Sequence, residues 1–460
     1  MRVLVVGLAT TGASVVSYAR AAGHDVSVIE DRPPVDGPAL GGYRDRVARA
    51  VADGATVTEA PAAAAAAAAA RAVDLVVPSP GVRPDHPALV AAHEAGVPVR
   101  SEIDLAAARL RARPDGPRLV AVTGTNGKTT VTTMIDTMLR AAGIASVAAG
   151  NIGRPLLDAA GDDVAVVVAE VSSFQLAFTT TSFAPDVAVL LNVAEDHLDW
   201  HGSSLAYAEA KRRIFAHQDR NGLLVVNGDD PVATGLAATA PGRVSRFFAG
   251  APGPGGFGVR DGDLVGPAGV LAPAPVNGAV HDVTNALAAA AAALAVGADA
   301  PAVAGALASF DGLVHRVQLV GERDGVRFYD DSKATNPHAT ASALAGFEHA
   351  VLIAGGRNKA LDLGGLRAHA ARLRAVIAIG EAAPEVEATF SGLVPVVTAT
   401  SMHDAVRAAA DHARPGDAVL LSPACASFDW YDGYAARGDD FAREVARLTE
   451  SSSCTPGGSA

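Results

Sequence analysis

The chain has 460 residues, half of them apolar but only 5% aromatic, and a formal net charge of −12. That length exceeds one ordinary core, and small helix residues on β-branched strands favour α/β layers. The acidic balance argues against a nucleic-acid protein, and two cysteines without metal or disulfide spacing, Cys425 and Cys454, fit a reducing compartment. Mean hydropathy is positive, but the longest uncharged apolar run, residues 286–298, is shorter than the roughly 20 residues that span a bilayer. With no signal-peptide pattern at the start, a cytoplasmic protein without membrane insertion is expected.

The first block opens with a strand at residues 3–6. The turn Gly7-Leu8-Ala9-Thr10-Thr11-Gly12 follows, then a helix to about residue 22 and a strand at 26–29 ending on Glu30-Asp31-Arg32. Strand, glycine turn, helix and a following acidic residue outline a nucleotide-binding βαβ unit. Ala9 stands at the middle glycine position of the dinucleotide fingerprint, so the alternative stays open that the glycines serve only a tight turn and close helix packing. The alanine tract at 62–70 reads as a helix without chemistry.

After Pro114-Asp115-Gly116-Pro117, a linker, a strand at 118–122 runs into Thr123-Gly124-Thr125-Asn126-Gly127-Lys128-Thr129-Thr130 and a helix to about 142. Glycines there let backbone N–H groups face phosphate oxygens, and the helix start adds positive potential. Lys128 would reach the β- and γ-phosphates, and the Thr129 hydroxyl would ligate Mg²⁺. Val122 stands where the general pattern has its first glycine, so this is a shortened phosphate loop, and ATP is the expected ligand. Further strands at 164–169, 187–191 and 223–226 end on Glu170, Asn192 and Asn227-Gly228-Asp229-Asp230. Ligands in open α/β sheets bind beyond the carboxyl ends of strands, so these ends locate a site.

The third block begins after Asp311-Gly312-Leu313. Its strands at 326–329, 350–354, 376–379 and 418–421 alternate with helical stretches and again end on polar or glycine residues. The expected fold is therefore α/β with three domains: a Rossmann-like N-terminal domain (1–112), a central phosphate-loop domain with a mixed or parallel sheet (113–312), and a Rossmann-like C-terminal domain (313–450). Residues 451–460 read as a disordered tail.

The shortened loop resembles that of the Mur ligase and folylpolyglutamate synthase superfamily. More motifs follow in that family's order: Glu170-Val171-Ser172-Ser173-Phe174-Gln175-Leu176, Asn192-Val193-Ala194-Glu195-Asp196-His197, Tyr207-Ala208-Glu209-Ala210-Lys211, His281 with Asn285, and His315-Arg316. Asp331-Ser332-Lys333-Ala334-Thr335-Asn336 and Ser422-Pro423-Ala424-Cys425-Ala426-Ser427-Phe428-Asp429 resemble the D-glutamate-adding branch of the Mur ligases. The Asp-Asn-Pro-Arg type motif of the diaminopimelate- or lysine-adding branches is not found. The resemblance runs from Gly7 to about Leu448.

It implies an ATP-dependent amide ligase acting, as a monomer, on UDP-N-acetylmuramoyl-L-alanine and D-glutamate through an acyl phosphate. It implies two Mg²⁺ sites, one with Thr129 and Glu170 and a second with His197. Lys211 reads plainly as an exposed helical lysine; by resemblance it is carbamylated and serves the second metal. ATP contacts would come from Gly124, Thr125, Asn126, Gly127, Lys128, Thr129, Thr130, Asn285, Arg316 and Asp331. The UDP substrate would meet Thr10, Thr11, Glu30, Asp31, Arg32, Ser79, Gly81, Asn151 and Gly153. D-Glutamate would meet Thr335, Lys359, Ser427 and Phe428, with Tyr434 as an aromatic wall or as core. The pair Arg357-Asn358 before Lys359 departs from the family's usual forms. Two other readings remain at this level: a ligase adding another amino acid such as L-alanine, and a switch that hydrolyses ATP only to move domains. The switch gives no reason for His197, Lys211 and Lys359 to occur together, and a nicotinamide dehydrogenase leaves the phosphate loop unexplained.

Overall fold

A computed structural model describes residues 1–31, 38–274 and 280–450. Arg32 and the tail 451–460, both the subject of expectations above, lie outside the described residues. The first sheet is parallel, with spatial order Thr56–Glu59, Asp25–Glu30, Arg2–Val6, Leu75–Pro78. The second has six parallel strands in the order Arg243–Phe247, Leu223–Asn227, Val187–Leu190, Arg118–Thr123, Val166–Glu170, Ser146–Gly150. The last sheet runs Gln318–Arg323, Val326–Asp330, Ala418–Ala424, Ala350–Gly355, Leu373–Ile379, Val396–Thr398. Its first strand is antiparallel to its neighbour and the others are parallel. A small antiparallel sheet, Gly258–Arg260, Asp263–Gly266 and Gly269–Pro273, completes the set.

The strand sequences explain the layering. In Ala350–Gly355, Ala350, Leu352 and Ala354 enter one apolar cluster while Val351 and Ile353 enter another. Successive side chains of a strand point to opposite faces, so an unbroken apolar run is the pattern of a strand covered by helices on both sides. The first strand does the same: Val3 and Val5 face one cluster, Leu4 and Val6 the other.

The chain forms two compact units. One comprises Met1–Val193, Leu205–Ala274 and Thr284–Ser309; the other comprises Ala194–Ser204, Pro275–Val283 and Phe310–Ala460. The first two sheets share a unit because one buried cluster runs continuously from Val15 and Ile103 to Leu157 and Phe183. Among the described residues, no helix is long and apolar enough to cross a membrane.

Candidate functional site

In the first unit, the strand Arg118–Thr123 sits between Val166–Glu170 and Val187–Leu190 and leads straight into the helix Lys128–Ala141. The turn between them depends on Gly127, at φ +85°, where a Cβ would also lie 2.5 Å from Asn285 Oδ1. Asn192, at the end of the neighbouring strand, clamps the loop. Its Oδ1 accepts from Asn126 N (2.9 Å), its Nδ2 donates to Asn126 O (3.2 Å) and its carbonyl accepts from Thr125 N (3.0 Å). Lys128 Nζ donates to the carbonyls of Gly124 and Thr125, each at 2.9 Å. Thr129 and Thr130 are buried in the first turn of the helix. The structure thus brings Asn285 to the phosphate loop across most of the second block, and it gives Asn192, expected only as a strand end near the site, the role of holding that loop.

Glu170 closes the adjacent strand and is 3% exposed. Its Oε1 accepts from Asn151 Nδ2 (2.8 Å), and its carbonyl accepts from Asn151 N (2.8 Å). Its Oε2 is buried and has no hydrogen-bond partner among the described residues. A carboxylate oxygen kept in this way at a strand end, beside a phosphate loop, suits a hard cation that also takes phosphate and water oxygens. No cluster of three His, Cys, Asp or Glu side chains among the described residues could hold a metal alone, so oxygens from elsewhere would have to complete such a site.

Lys211 corrects its plain reading. It is 1% exposed, not a surface lysine, and its Nζ lies 4.6 Å from the centre of the Tyr207 ring one turn earlier in the helix Ser204–Arg212. The Tyr207 hydroxyl is in turn 3.1 Å from Thr125 Oγ1 in the phosphate loop. The helix carries hydrophobic positions on the face that includes Lys211, and this face turns inward; spacing alone did not show which way it turned.

The first sheet presents its own strand ends. Gly7 adopts φ +91°, and a Cβ at Gly12 would lie 2.0 Å from Gly7 O, so both glycines are needed by the turn. Ser79 Oγ donates to Gly7 O (2.7 Å), and Leu8 N donates to Glu30 Oε2 (2.7 Å). Glu30 and Ser79 therefore brace the turn before any ligand is considered. Asp31 Oδ2 pairs with His86 Nε2 at 2.7 Å. Thr10 begins the helix and is exposed; Gly81 and Gly153 take φ +95° and +63° in their loops.

A narrow crevice beside this turn is lined by Thr11, Ser79, Glu102, Phe174 and Gln175 among others. Glu102 is 1% exposed, its Oε1 accepts from Leu157 N at 2.5 Å, and its Oε2 has no hydrogen-bond partner among the described residues. Burial pushes its carboxyl up to about 7; the Leu157 N–H opposes this and nearby Asp158 adds to it.

In the second unit, the strand Val326–Asp330 ends in the loop that carries Asp331 and Thr335. Asp331 Oδ2 accepts from Ser422 Oγ (2.7 Å). Burial raises its carboxyl to about 7, against the Ser422 bond and the positive charge of Arg316. Arg357 and Ala426 exchange backbone hydrogen bonds (2.8 and 3.0 Å), which draws the Lys359 loop beside the segment bearing Ser427. Within this loop Arg357 pairs with Glu381, and Asn358 Nδ2 donates to Leu361 O. Ser427 is buried, whereas Phe428 is 63% exposed. Tyr434 is a partly exposed ring 5.1 Å from Lys333 Nζ rather than core. His197 takes φ +53° at the start of the helix Leu198–His201.

Arg437 was not singled out by the sequence. It is fully buried in the helix Tyr434–Glu450 and donates to Ser332 Oγ (2.9 Å), Ser332 O (2.8 Å) and Cys425 O (3.2 Å). It ties the loop after Val326–Asp330 to the end of Ala418–Ala424, and burial pulls its guanidinium down to about 10. No motif distinguishes such an arginine from the exposed ones on the same helix.

Three family models match the chain: an N-terminal domain described as "Mur ligase MurD-like" over residues 1–101, the Mur ligase middle domain over 122–250, and the glutamate ligase domain of Mur ligases over 315–425. A protein of Frankia casuarinae named UDP-N-acetylmuramoylalanine–D-glutamate ligase is 48% identical, covering 81% of this chain and 80% of its own length. One of the same name from Thermobifida fusca is 40% identical over 97% of this chain and 98% of its own. Among solved structures, the UDP-N-acetylmuramate–alanine ligase MurC of Thermotoga maritima aligns with a TM-score of 0.60 at 18% identity, covering 98% of this chain and 100% of its own. MurF of Thermotoga maritima in complex with ADP also gives 0.60 at 18% identity, with 93% and 96% covered. At such identities the structural likeness speaks for the fold.

Proposed function

The chain belongs to the Mur ligase family, and on that premise we propose that it joins D-glutamate to UDP-N-acetylmuramoyl-L-alanine, converting ATP to ADP and phosphate, in peptidoglycan precursor synthesis. The observation that carries this reading is the phosphate loop 124–130, braced by Asn192 and met by Asn285, in a chain that follows D-glutamate ligases over nearly its whole length. ATP supplies the phosphoryl group that turns the substrate carboxylate into an acyl phosphate, which the amine of D-glutamate attacks.

Transfer between two anions needs positioning and charge neutralisation above all. The loop N–H groups and Lys128 receive the phosphates, with Asn285, Arg316 and Asp331 holding the nucleoside and γ-phosphate. Mg²⁺ held by Thr129 and Glu170 would neutralise phosphate charge, and the carboxylate oxygen left on Glu170 fits that role. A second Mg²⁺ is assigned to His197. Lys211, buried against Tyr207, is by the family resemblance the lysine that CO₂ carbamylates, and the resulting carboxylate would serve the second metal.

Thr10, Thr11, Asp31, Ser79, Gly81, Asn151 and Gly153 line the UDP substrate's path, with Glu30 holding the turn. Thr335, Lys359, Ser427 and Phe428 receive the two carboxylates of D-glutamate, with Tyr434 alongside. The protein acts as a cytoplasmic monomer of three domains, bounded at about residues 112 and 312, on small-molecule substrates.

An assay with Mg²⁺, ATP and UDP-N-acetylmuramoyl-L-alanine tests this, offering D-glutamate beside L-alanine, L-glutamate and diaminopimelate. Phosphate release that requires D-glutamate, with a product of matching mass, is expected. Phosphate release without amide, or with another amino acid, would overturn the assignment.

A further inference from the structure

Asp196 precedes His197 and has no role in the reading above. The residue is buried, with its side chain 6% exposed. Oδ1 forms an ion pair with Lys359 Nζ at 3.0 Å and accepts from His197 N at 2.9 Å; Oδ2 accepts from Asn336 Nδ2 at 3.0 Å. Asn336 is itself fixed, because its Oδ1 caps the helix Pro337–Leu344 by accepting from Ala339 N at 2.9 Å. One carboxylate therefore gathers two loops that lie 163 and 140 residues away in the chain.

A buried carboxylate loses its hydration, and its charge is tolerated at modest cost where a cation and hydrogen bonds replace the water. The replacements include the two groups that frame the proposed amino-acid site, Lys359 and Asn336 immediately after Thr335, beside the neighbouring His197, whose N–H donates to Oδ1 and whose Nε2 lies 3.6 Å from Oδ2. A lysine ammonium has three donors on a flexible stem. Directing one donor at Asp196 narrows the stem's rotamers and fixes where the other two point. The bond to Asn336 likewise sets the turn that presents Thr335.

We propose that Asp196 is a positioning residue for the amino-acid substrate, holding Lys359 and the Thr335–Asn336 turn so that both meet a carboxylate of the incoming D-glutamate. This rests on the reading of Lys359 and Thr335 as D-glutamate contacts.

The test is steady-state kinetics on the full chain, varying D-glutamate, ATP and the UDP substrate in turn, for wild type, Asp196→Asn and Asn336→Ser. Asp196→Asn keeps the shape but loses the charge, so KM for D-glutamate should rise roughly ten-fold or more, as for loss of a charge-assisted hydrogen bond. KM for ATP should stay within about two-fold, the mark of a selective binding defect. Asn336→Ser retains a capping oxygen but is too short to reach Asp196; it should show a smaller rise for D-glutamate alone and carries the test if Asp196→Asn fails to fold. An unchanged or lower KM for D-glutamate, or an equal rise for ATP, would overturn the proposal. A wild type that makes no D-glutamate-dependent product would instead overturn the reading beneath it.

Discussion

Replacing Glu102 by Gln removes a charge from a place where the fold gives it little compensation. The side chain is 1% exposed, one oxygen accepts from Leu157 N, and the other has no hydrogen-bond partner among the described residues. Burial raises the carboxyl from 4.5 to about 7. An acid whose folded pKa is raised binds its proton more tightly in the folded state. Its stabilising effect is complete below the unfolded value and is lost as pH climbs through the folded one. A shift from 4.5 to about 7 corresponds to about 3 kcal/mol at 1.36 kcal/mol per unit. Glutamine retains the carbonyl acceptor for Leu157 N and never ionises. Urea unfolding of both proteins at about pH 4.5 and about pH 8.5 isolates the effect, because every other titrating group is common to the pair. The stability of Glu102→Gln relative to wild type should increase by about 3 kcal/mol between the two pH values. A difference that is the same at both would refute the argument and show that the buried carboxylate is compensated.

Lys211→Ala should lose most activity and recover part of it when short carboxylic acids are added; near-normal activity without rescue would exclude a carbamylated lysine. Glu170→Gln should need at least about ten-fold more Mg²⁺ for half-maximal phosphate release, since a ligand oxygen is replaced by a neutral amide; an unchanged Mg²⁺ titration would remove Glu170 from the metal. Arg437→Ala should cost about 3 kcal/mol or more in urea unfolding, because Ser332 O and Cys425 O lose their buried donor; a loss below about 1 kcal/mol would show that water replaces it.

Much of this protein is written locally, in stretches of a few residues. The strand–loop–helix around Gly124 and Lys128 was legible because a buried strand, glycines and a helix start are each set by their own sequence, and a phosphate loop needs only those three in succession. The central strands of the large sheets were legible for the same reason: runs such as Ala350–Gly355 are apolar on both faces. Strands at or near sheet edges were missed. Thr56–Glu59, Arg243–Phe247, Gln318–Arg323 and Val396–Thr398 carry polar or mixed sequences, since an edge strand is paired on one side only and its neighbours, not its own pattern, make it a strand.

The site divides in the same way. Glu170, Asn192 and Asp331 could be found from their places at strand ends, but what each side chain does there depends on partners far off in sequence. Asn192 holds the phosphate loop, Glu30 is spent on bracing its own turn, Lys211 is buried rather than exposed, and Asp196 binds Lys359. Type and spacing determined which chemistry the chain could support. Only the packed structure decided which polar groups lose water and which partner replaces it, because desolvation is a property of the whole surroundings and not of any segment.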